Sequence, residues 1–316
     1  MDVEGRFDIS QTPRDEQTGL KVAPSDSEWV AKYRTHLRAT KSGKTVSNYT
    51  WAARGFETYL ESQGHTIAEG PPTALVDYVV WLIDEKSSSP RSVATMVAGI
   101  KNYLHWLSGR LSITDYRKPN LPRIYSKKEY TPEKAEIDRY EKAVRITITK
   151  EPARTVLLLL PHCGLRIGEI CKLTLKESIN KRKIGDRIWT TFTAVTKGGD
   201  EKELPLMPPG ELVLNGYLFG WRSQVEKNSK WLFPGNGIAS VRPDTVRKYL
   251  NEVRKLIGSP GLSPHAIRRF FATYQHFVKG NDVSTVSKML GHKTTKTTEL
   301  YYINPTTMQV LKNIKT

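Results

Sequence analysis

The sequence is poor in cysteine and in long apolar runs. Its 316 residues include two cysteines, Cys163 and Cys171, too few for a disulfide framework or a zinc site, which indicates a reduced intracellular protein. The most apolar run, VLLLL at 156–160, ends at Pro161 and is far shorter than the ~20 residues of a membrane helix. The first ten residues, MDVEGRFDIS, are acidic and polar, unlike a signal peptide. We therefore expect a soluble, cytoplasmic protein.

Acidic residues are also scarce relative to basic ones. Lys and Arg number 49 against 32 Asp and Glu, which gives a net charge of +17. Such an excess favours a polyanionic partner, because phosphate contacts with counterion release supply most of the affinity of nucleic-acid binders. The charge alone does not exclude a basic, soluble enzyme of another kind.

The first third of the chain predicts a small helical domain. Residues 1–27 are polar and form a tail, and helical spacing begins with Trp29, Val30, Tyr33 and Leu37. Three more amphipathic segments follow, so we expect an all-α domain over residues 28–116. Residues 117–130, with RKPNLPRIYSKK at 117–128, contain two prolines and many basic residues and predict a linker.

Residues 131–316 predict a larger domain of mixed structure. DRIWTTFTAV at 186–195 and ELPLMP at 203–208 are rich in β-forming residues and flank the turn TKGGDEK. Helical patterns account for most of the remainder. The expected fold class is mainly α, with a small antiparallel β-hairpin or sheet in this second, α+β domain.

Two familiar phosphate chemistries fit the sequence poorly. SGKT at 42–45 resembles the end of a phosphate loop, but Arg38 stands where that loop needs a glycine. Metal-dependent phosphoryl transfer needs clustered carboxylates, and the basic segments carry no obvious set, although a scattered triad stays open.

A set of strong hydrogen-bond donors remains, and each has an ordinary explanation when taken singly. Arg166 is placed to pair with Glu169, His265 to cap its helix after Pro264, and a lone tyrosine more often packs than reacts. His265 and Arg268 lie one helical turn apart and share a face.

In combination these residues resemble a known signature. CGLRIGEICKL, PHAIRRFFAT and LGHKTTKTTELYY together resemble the catalytic motifs of the tyrosine recombinase (phage integrase) family. The resemblance covers the chain from about residue 130 to its end. The helical segment before it resembles the family's core-binding domain, in a two-domain architecture similar to Xer and Cre recombinases.

The resemblance implies a catalytic set. Its members are Arg166, Lys197, His265, Arg268, His292 and Tyr301, with Glu169 in support. It implies that the two arginines bind the phosphate oxygens, Lys197 protonates the leaving 5′-oxygen, and His292 contacts the phosphate. Tyr301 lies nine residues after His292, as in the family; Tyr302 is the alternative nucleophile. Lys202 is the alternative to Lys197. Many relatives have histidine where this chain has Arg269, which predicts altered packing or an added phosphate contact.

The resemblance further implies site-specific DNA recombination. DNA strands would be cleaved and rejoined through a 3′-phosphotyrosine and a Holliday junction, without metal, ATP or another cofactor. The expected partners are a double-stranded recombination site and a homotetramer on two duplexes, with no membrane. A type IB topoisomerase and a catalytically silent DNA-binding protein remain as alternatives.

DNA contacts outside the catalytic set follow from exposed basic and polar helix positions. A charged helix face is usually only solvated, which is the alternative at every one of them. The candidates are Lys44, Asn48, Arg54, Arg91, Lys101, Arg242, Arg247 and Lys248.

Overall fold

A computed structural model describes residues 26–121, 129–195, 199–225, 229–236 and 239–301, with the backbone alone for 300 and 301. The chain divides into two compact units, Met1–Ser126 and Lys127–Thr316. The predicted tail up to residue 25, Lys197 and Tyr302 lie outside the described residues. Across the described ranges, no helix has both the length and the apolar character needed to cross a membrane.

The described part of the first unit is built from four helices. Ser27 begins the first by accepting a hydrogen bond from the backbone N–H of Val30 at 3.1 Å, and Ser89 caps the fourth, as expected of serine at these positions. The helices are α1 (Glu28–Thr40), α2 (Gly43–Ser62), α3 (Ala74–Asp84) and α4 (Pro90–Ser108).

The core of the first unit follows the apolar spacing of its helices. Val30, Tyr33 and Leu37 are fully buried, as the first stripe predicts. The rings of Tyr33 and Tyr103 lie 4.9 Å apart between centroids, and the Tyr33 hydroxyl donates to Asn102 at 2.7 Å. The predicted all-α fold of this segment is confirmed.

The described part of the second unit combines helices with a sheet, as expected from the sequence. The helices of its described part are α5 (Lys134–Thr147), α6 (Ala153–Leu159), α7 (Ile167–Ile170), α8 (Pro208–Phe219), α9 (Trp221–Gln224), α10 (Pro243–Leu256), α11 (Pro264–Phe277), α12 (Val283–Leu290) and α13 (Thr295–Tyr301), with a 3₁₀ turn at Leu160–His162.

The sheet has three antiparallel strands in the order β1 (Ile179–Ile184), β2 (Arg187–Val195) and β3 (Glu201–Pro205). The predicted β2–β3 hairpin is present, with Ala194 opposite Lys202. The sequence did not predict β1. Most of its side chains are exposed at the edge of the sheet, so the strand lacks the apolar alternation that identifies a half-buried strand.

The packing of these elements brings distant motifs together. α11 packs against the 3₁₀ turn and α12, while α12 packs against β3 and α13. Gly164 lets the segment before α7 approach α12 closely, because a Cβ added at this position would lie 2.0 Å from the backbone oxygen of Met289 in α12. The segment before α7 and the end of α12 therefore touch through backbone, which any side chain at 164 would prevent.

Candidate active site

Arg268 lies at the centre of the site. Its side chain extends from α11 and the residue is 1% exposed. The guanidinium donates to the carbonyl oxygens of Gly164 and, at 2.8 Å, Leu290. These contacts join α11 to the segment before α7 and to the end of α12, and they fix the direction of the planar guanidinium.

Arg166 and Glu169 form a compact pair at the start of α7. The Glu169 carboxylate accepts from the backbone N–H of Arg166 at 2.8 Å and from its Nη1 at 2.9 Å. This is the ordinary pairing expected from the sequence. The Arg166 side chain nevertheless keeps 41% of its surface exposed, so part of its guanidinium faces solvent.

Glu169 balances several cations. Besides Arg166, it lies 3.4 Å from Nζ of Lys202 and 3.7 Å from Nη1 of Arg268. Burial alone would raise the pKa of Glu169, but the Arg166 backbone N–H and the surrounding positive charges outweigh burial and hold that pKa below its ordinary value. Glu169 is therefore a carboxylate at neutral pH, and it supports the cations around it.

Lys202, the alternative to Lys197 in the sequence, is part of this cluster. Its side chain is 13% exposed, and burial lowers the pKa of its ammonium even though Glu169 opposes the change. Its stem crosses Gly291, where an added Cβ would lie 2.2 Å from Cδ of Lys202. Gly291 has φ +63°, so both its conformation and this contact favour glycine.

His265 occupies the first turn of α11. The cap of that helix is Ser263, which accepts from the backbone N–H of Ala266 at 3.1 Å, so capping does not explain His265. The histidine is exposed, and partial desolvation followed by the charges of Arg268 and Arg166 lowers its pKa. A lowered pKa keeps the imidazole neutral at pH 7 and able to accept a proton.

His292 follows α12 and joins it to α13. Its Nε2 lies 3.1 Å from Nη2 of Arg268, and its Nδ1 lies 2.8 Å from the Thr298 hydroxyl. Since arginine only donates, Nε2 accepts and Nδ1 carries the proton. Burial, followed by the charge of Arg268, lowers the pKa of His292 to about 3, so the ring is neutral at pH 7.

Of the two remaining residues of the predicted set, Lys197 lies outside the described residues and Tyr301 is described by its backbone alone. Tyr301 is the last residue of α13, one helical turn after the buried Thr298 that bonds His292. The described residues contain no group of three or more His, Cys, Asp or Glu side chains arranged to bind a metal.

The chain matches a known family over the segment that carries these residues. The family model described as "Phage integrase family" matches residues 133–307, more than half of the chain. The chain belongs to the phage integrase family of tyrosine recombinases. The match spans α5 to α13 and so includes every catalytic residue predicted from the sequence.

Curated relatives extend the similarity into the first unit. The recombinase is 27% identical over 285 residues to tyrosine recombinase XerA of Pyrococcus furiosus, covering 87% of this chain and 89% of the relative. It is 26% identical over 329 residues to tyrosine recombinase XerC of Chlorobaculum tepidum, covering 88% and 90%.

Solved structures share the fold. XerH recombinase bound to its palindromic difH substrate, in a post-cleavage complex, aligns with a TM-score of 0.70 at 15% identity and covers 92% of this chain and 84% of that one. A lambda integrase dimer bound to a COC′ core site aligns with a TM-score of 0.63 at 14% identity, covering 87% and 94%. These likenesses confirm the predicted fold class of the recombinase.

Arg269, the departure from the family pattern, has a packing role in the recombinase. It is 8% exposed, and its Nε and Nη2 donate to the backbone oxygen of Tyr130 at 3.0 and 2.7 Å. It also pairs with Glu129. Of the two roles left open by the sequence, the structure shows the packing role.

The predicted DNA-contact residues of the recombinase differ in their surroundings. Arg54 is half-buried, and its Nε donates to Asp26 at 2.8 Å. Arg247 pairs with Asp244 at 2.6 Å. The remaining candidates are exposed, on α2, on α4 and at or near the start of α10: Lys44, Asn48, Arg91, Lys101, Arg242 and Lys248.

Proposed function

We propose that the recombinase cleaves and rejoins DNA strands through a covalent 3′-phosphotyrosine on Tyr301 and a Holliday junction. The observation that carries this proposal is the cation cluster around Glu169. Arg166, Arg268 and Lys202 surround this carboxylate among the described side chains. Three cations against one carboxylate leave an excess of positive charge, which suits a phosphodiester that gains negative charge as it is attacked.

In the proposed cleavage step, the Tyr301 oxygen forms a bond to phosphorus while the bond from phosphorus to the 5′-oxygen breaks. A phenol has a pKa near ~10, so its proton needs an acceptor, and the neutral His265 is suited to that part. Lys197 supplies the proton to the leaving 5′-oxygen. The phosphotyrosine retains the energy of the broken bond, so a second 5′-hydroxyl can reverse the step without ATP.

The arginines stabilise the charge that develops on phosphorus. Arg268 is held by backbone carbonyls on two elements, so its orientation is set before DNA binds, and Arg166 adds a second, more exposed guanidinium. Fixed donors of this kind stabilise a transition state without reorganisation. Before DNA binds, His292 orients Arg268. To contact the scissile phosphate the ring changes tautomer: the proton moves from Nδ1 to Nε2, which donates to a phosphate oxygen, while Nδ1 accepts from the Thr298 hydroxyl.

The two units divide the work in this proposal. Residues 28–116 form a DNA-binding core-binding domain, residues 117–130 a linker, and residues 131–316 the catalytic domain. Four copies act on two duplexes in the cytoplasm, where each copy cleaves one strand. The similar structures of XerH bound to its difH substrate and of lambda integrase bound to a COC′ core site support DNA as the substrate.

Strand polarity and exchange test the proposal. Duplexes tiled from the DNA that flanks the gene, each nicked on one strand, are incubated with the recombinase in EDTA without ATP. After protease digestion, the cleaved strand should carry a peptide at its 3′ end and leave a 5′-hydroxyl that a kinase labels directly. A peptide on the 5′ end would contradict the mechanism.

A second assay separates recombination from relaxation. A plasmid with two copies of the cleaved sequence should yield exchanged products and a trapped four-way junction. Relaxation of supercoils with no exchange would instead favour the topoisomerase alternative.

A further inference from the structure

The first unit contains a pocket lined by basic side chains, between α1 and α2. We refer to it as the α1–α2 pocket; it has a volume of about 490 Å³, a size typical of ligand sites. The α1 side contributes Arg34, Arg38 and Lys41, and the α2 side contributes Thr50, Trp51 and Arg54. None of the lining residues is acidic.

One carboxylate outside the lining of the α1–α2 pocket holds two of the arginines that line it. Asp26, whose side chain is 3% exposed, pairs with both Arg34 and Arg54. One carboxylate therefore faces two arginines, and the remaining charge stays positive. Arg38 and Lys41 line the pocket and are exposed, and neither has an ion pair within the described part of the chain. The pocket has a surplus of donors with no protein acceptor for them, as an anion site requires.

Thr50 gives a second, independent indication of a ligand. The residue is 5% exposed and lines the pocket. Its hydroxyl has no hydrogen-bond partner among the described residues. Buried hydroxyls in folded proteins nearly always have a partner, so a ligand oxygen in the pocket would satisfy a group that the protein leaves unsatisfied.

Trp51 indicates what lies beside the anion. Its side chain borders the pocket and is 59% exposed. A large exposed indole is suited to pack on a flat or apolar surface. An anion with an adjoining sugar or base matches this combination better than a free inorganic ion, and the net charge of +17 favours a polyanion.

We propose that the α1–α2 pocket seats a phosphate of the DNA backbone, with Arg38, Lys41 and Thr50 as donors and Trp51 against the adjoining sugar. The proposal deepens the proposed function, because it rests on DNA as the substrate. Backbone contacts carry no base information, so the pocket strengthens binding to any duplex and does not select the recombination site.

Salt dependence of binding tests the pocket with the full chain and a duplex of mixed sequence. Titrations by fluorescence anisotropy across a salt series compare the wild type with Arg38→Gln/Lys41→Gln. Loss of one phosphate contact should make the plot of log affinity against log salt less steep by about 1. The control, Lys32→Gln/Lys86→Gln, removes the same charge from two positions outside the pocket, one exposed and one half-buried, and should keep the wild-type slope. Equal slopes in the two double variants would overturn the proposal.

Thr50→Val tests the pocket without any change in net charge. Valine keeps the shape and removes the hydroxyl, so the melting temperature of the free protein should stay the same or rise, while affinity for the duplex falls severalfold. Unchanged affinity would remove Thr50 from the site and contradict the proposed donor set.

The source of the phosphate is tested in the same protein. Inorganic phosphate, at equal ionic strength, should raise the melting temperature of the wild type far less than the duplex does. Equal stabilisation by inorganic phosphate would identify a free-anion site and overturn the DNA assignment.

The covalent complex of the wild type tests the proposed function separately. If no covalent complex formed but Arg38→Gln/Lys41→Gln still made the salt dependence shallower, the recombination mechanism would be rejected. The pocket would then still be a DNA-phosphate site.

Discussion

Nε2 of His292 accepts a hydrogen bond from Nη2 of Arg268 at 3.1 Å, across 24 positions of sequence. The same imidazole holds Thr298 through Nδ1 at 2.8 Å. The neutral ring thus links the arginine of α11 to the helix that ends at Tyr301. Protonation would place a second donor against the arginine and break this link.

The first prediction concerns acid sensitivity. The pKa of His292 in the folded protein is lowered to about 3 from an ordinary 6.5. Between these two pH values the histidine is protonated in the unfolded chain and neutral in the folded protein. This contribution to stability is therefore complete above pH 6.5 and is lost as the pH falls toward 3. Linkage over this shift gives about 2 kcal/mol between pH 7 and 5, and solvent screening of the half-buried ring reduces this to about 1 kcal/mol. In urea titrations, His292→Asn should therefore lose about 1 kcal/mol less unfolding free energy than the wild type over that range.

The exposed His65 provides the matched control. His65→Asn should lose stability between pH 7 and 5 as the wild type does. His265 also has a lowered pKa and acts in the same direction, so the comparison uses the difference between variants. An unchanged acid sensitivity in His292→Asn would show that the imidazole is not held neutral by this environment.

The second prediction concerns the contact at Gly164. An added Cβ would lie 2.0 Å from the Met289 oxygen, so Gly164→Ala must push α12 away and disturb the carbonyl that Arg268 uses. We expect a loss of about 2 kcal/mol in unfolding free energy and a large loss of covalent complex. Gly168→Ala is the control, since a Cβ there meets nothing within 4 Å. Equal stability of the two variants would contradict the proposed contact.

The motifs were readable in the sequence, but their contacts were not. Arg268 bonds Gly164 across 104 positions, and local spacing says nothing about such a pair. Lys202 was the alternative to Lys197, and it meets Glu169 only because α7 packs against β2, the strand that pairs with β3. Conversely, the buried stripe of Val30, Tyr33 and Leu37 was predicted because a single amphipathic helix determines it.

The third prediction separates the two lysines by chemistry. In a duplex whose bridging 5′-oxygen is replaced by sulfur, the leaving thiolate needs no proton. The cleavage lost in Lys197→Met should be largely restored on this substrate, because Lys197 acts as the general acid. Lys202→Met should cleave about tenfold more slowly on both substrates, since it removes a charge that stabilises the cluster. If the sulfur substrate restored cleavage by Lys202→Met and not by Lys197→Met, Lys202 would be the general acid and Lys197 would not. Single-turnover formation of the covalent complex measures both.

The fourth prediction concerns Arg269. Its two hydrogen bonds to the Tyr130 backbone oxygen and its pair with Glu129 hold the start of the second unit against α11. Arg269→Leu should lower the unfolding free energy by about 2 kcal/mol, as loss of hydrogen bonds from a charged donor does. The salt dependence of DNA binding should stay as in the wild type. A shallower salt dependence in Arg269→Leu would instead indicate that Arg269 contacts a phosphate, the second role predicted from the sequence.

Other features of the chain were beyond sequence reasoning for physical reasons. β1 exposes most of its side chains at a sheet edge, so no apolar pattern marks it. Arg54, predicted as a DNA contact from its place on α2, is held by Asp26, a residue 28 positions earlier. Charge signs in a sequence do not tell which cations are already paired.

The nucleophile is the central claim, and one comparison tests it most directly. Wild type, Tyr301→Phe and Tyr302→Phe are incubated with nicked duplexes that carry the cleaved sequence, and denaturing gels detect the covalent protein–DNA band. We expect the band to disappear in Tyr301→Phe and to persist in Tyr302→Phe. Loss of the band in Tyr302→Phe alone, with Tyr301→Phe still reactive, would contradict the assignment of Tyr301 and shift the catalytic register by one residue.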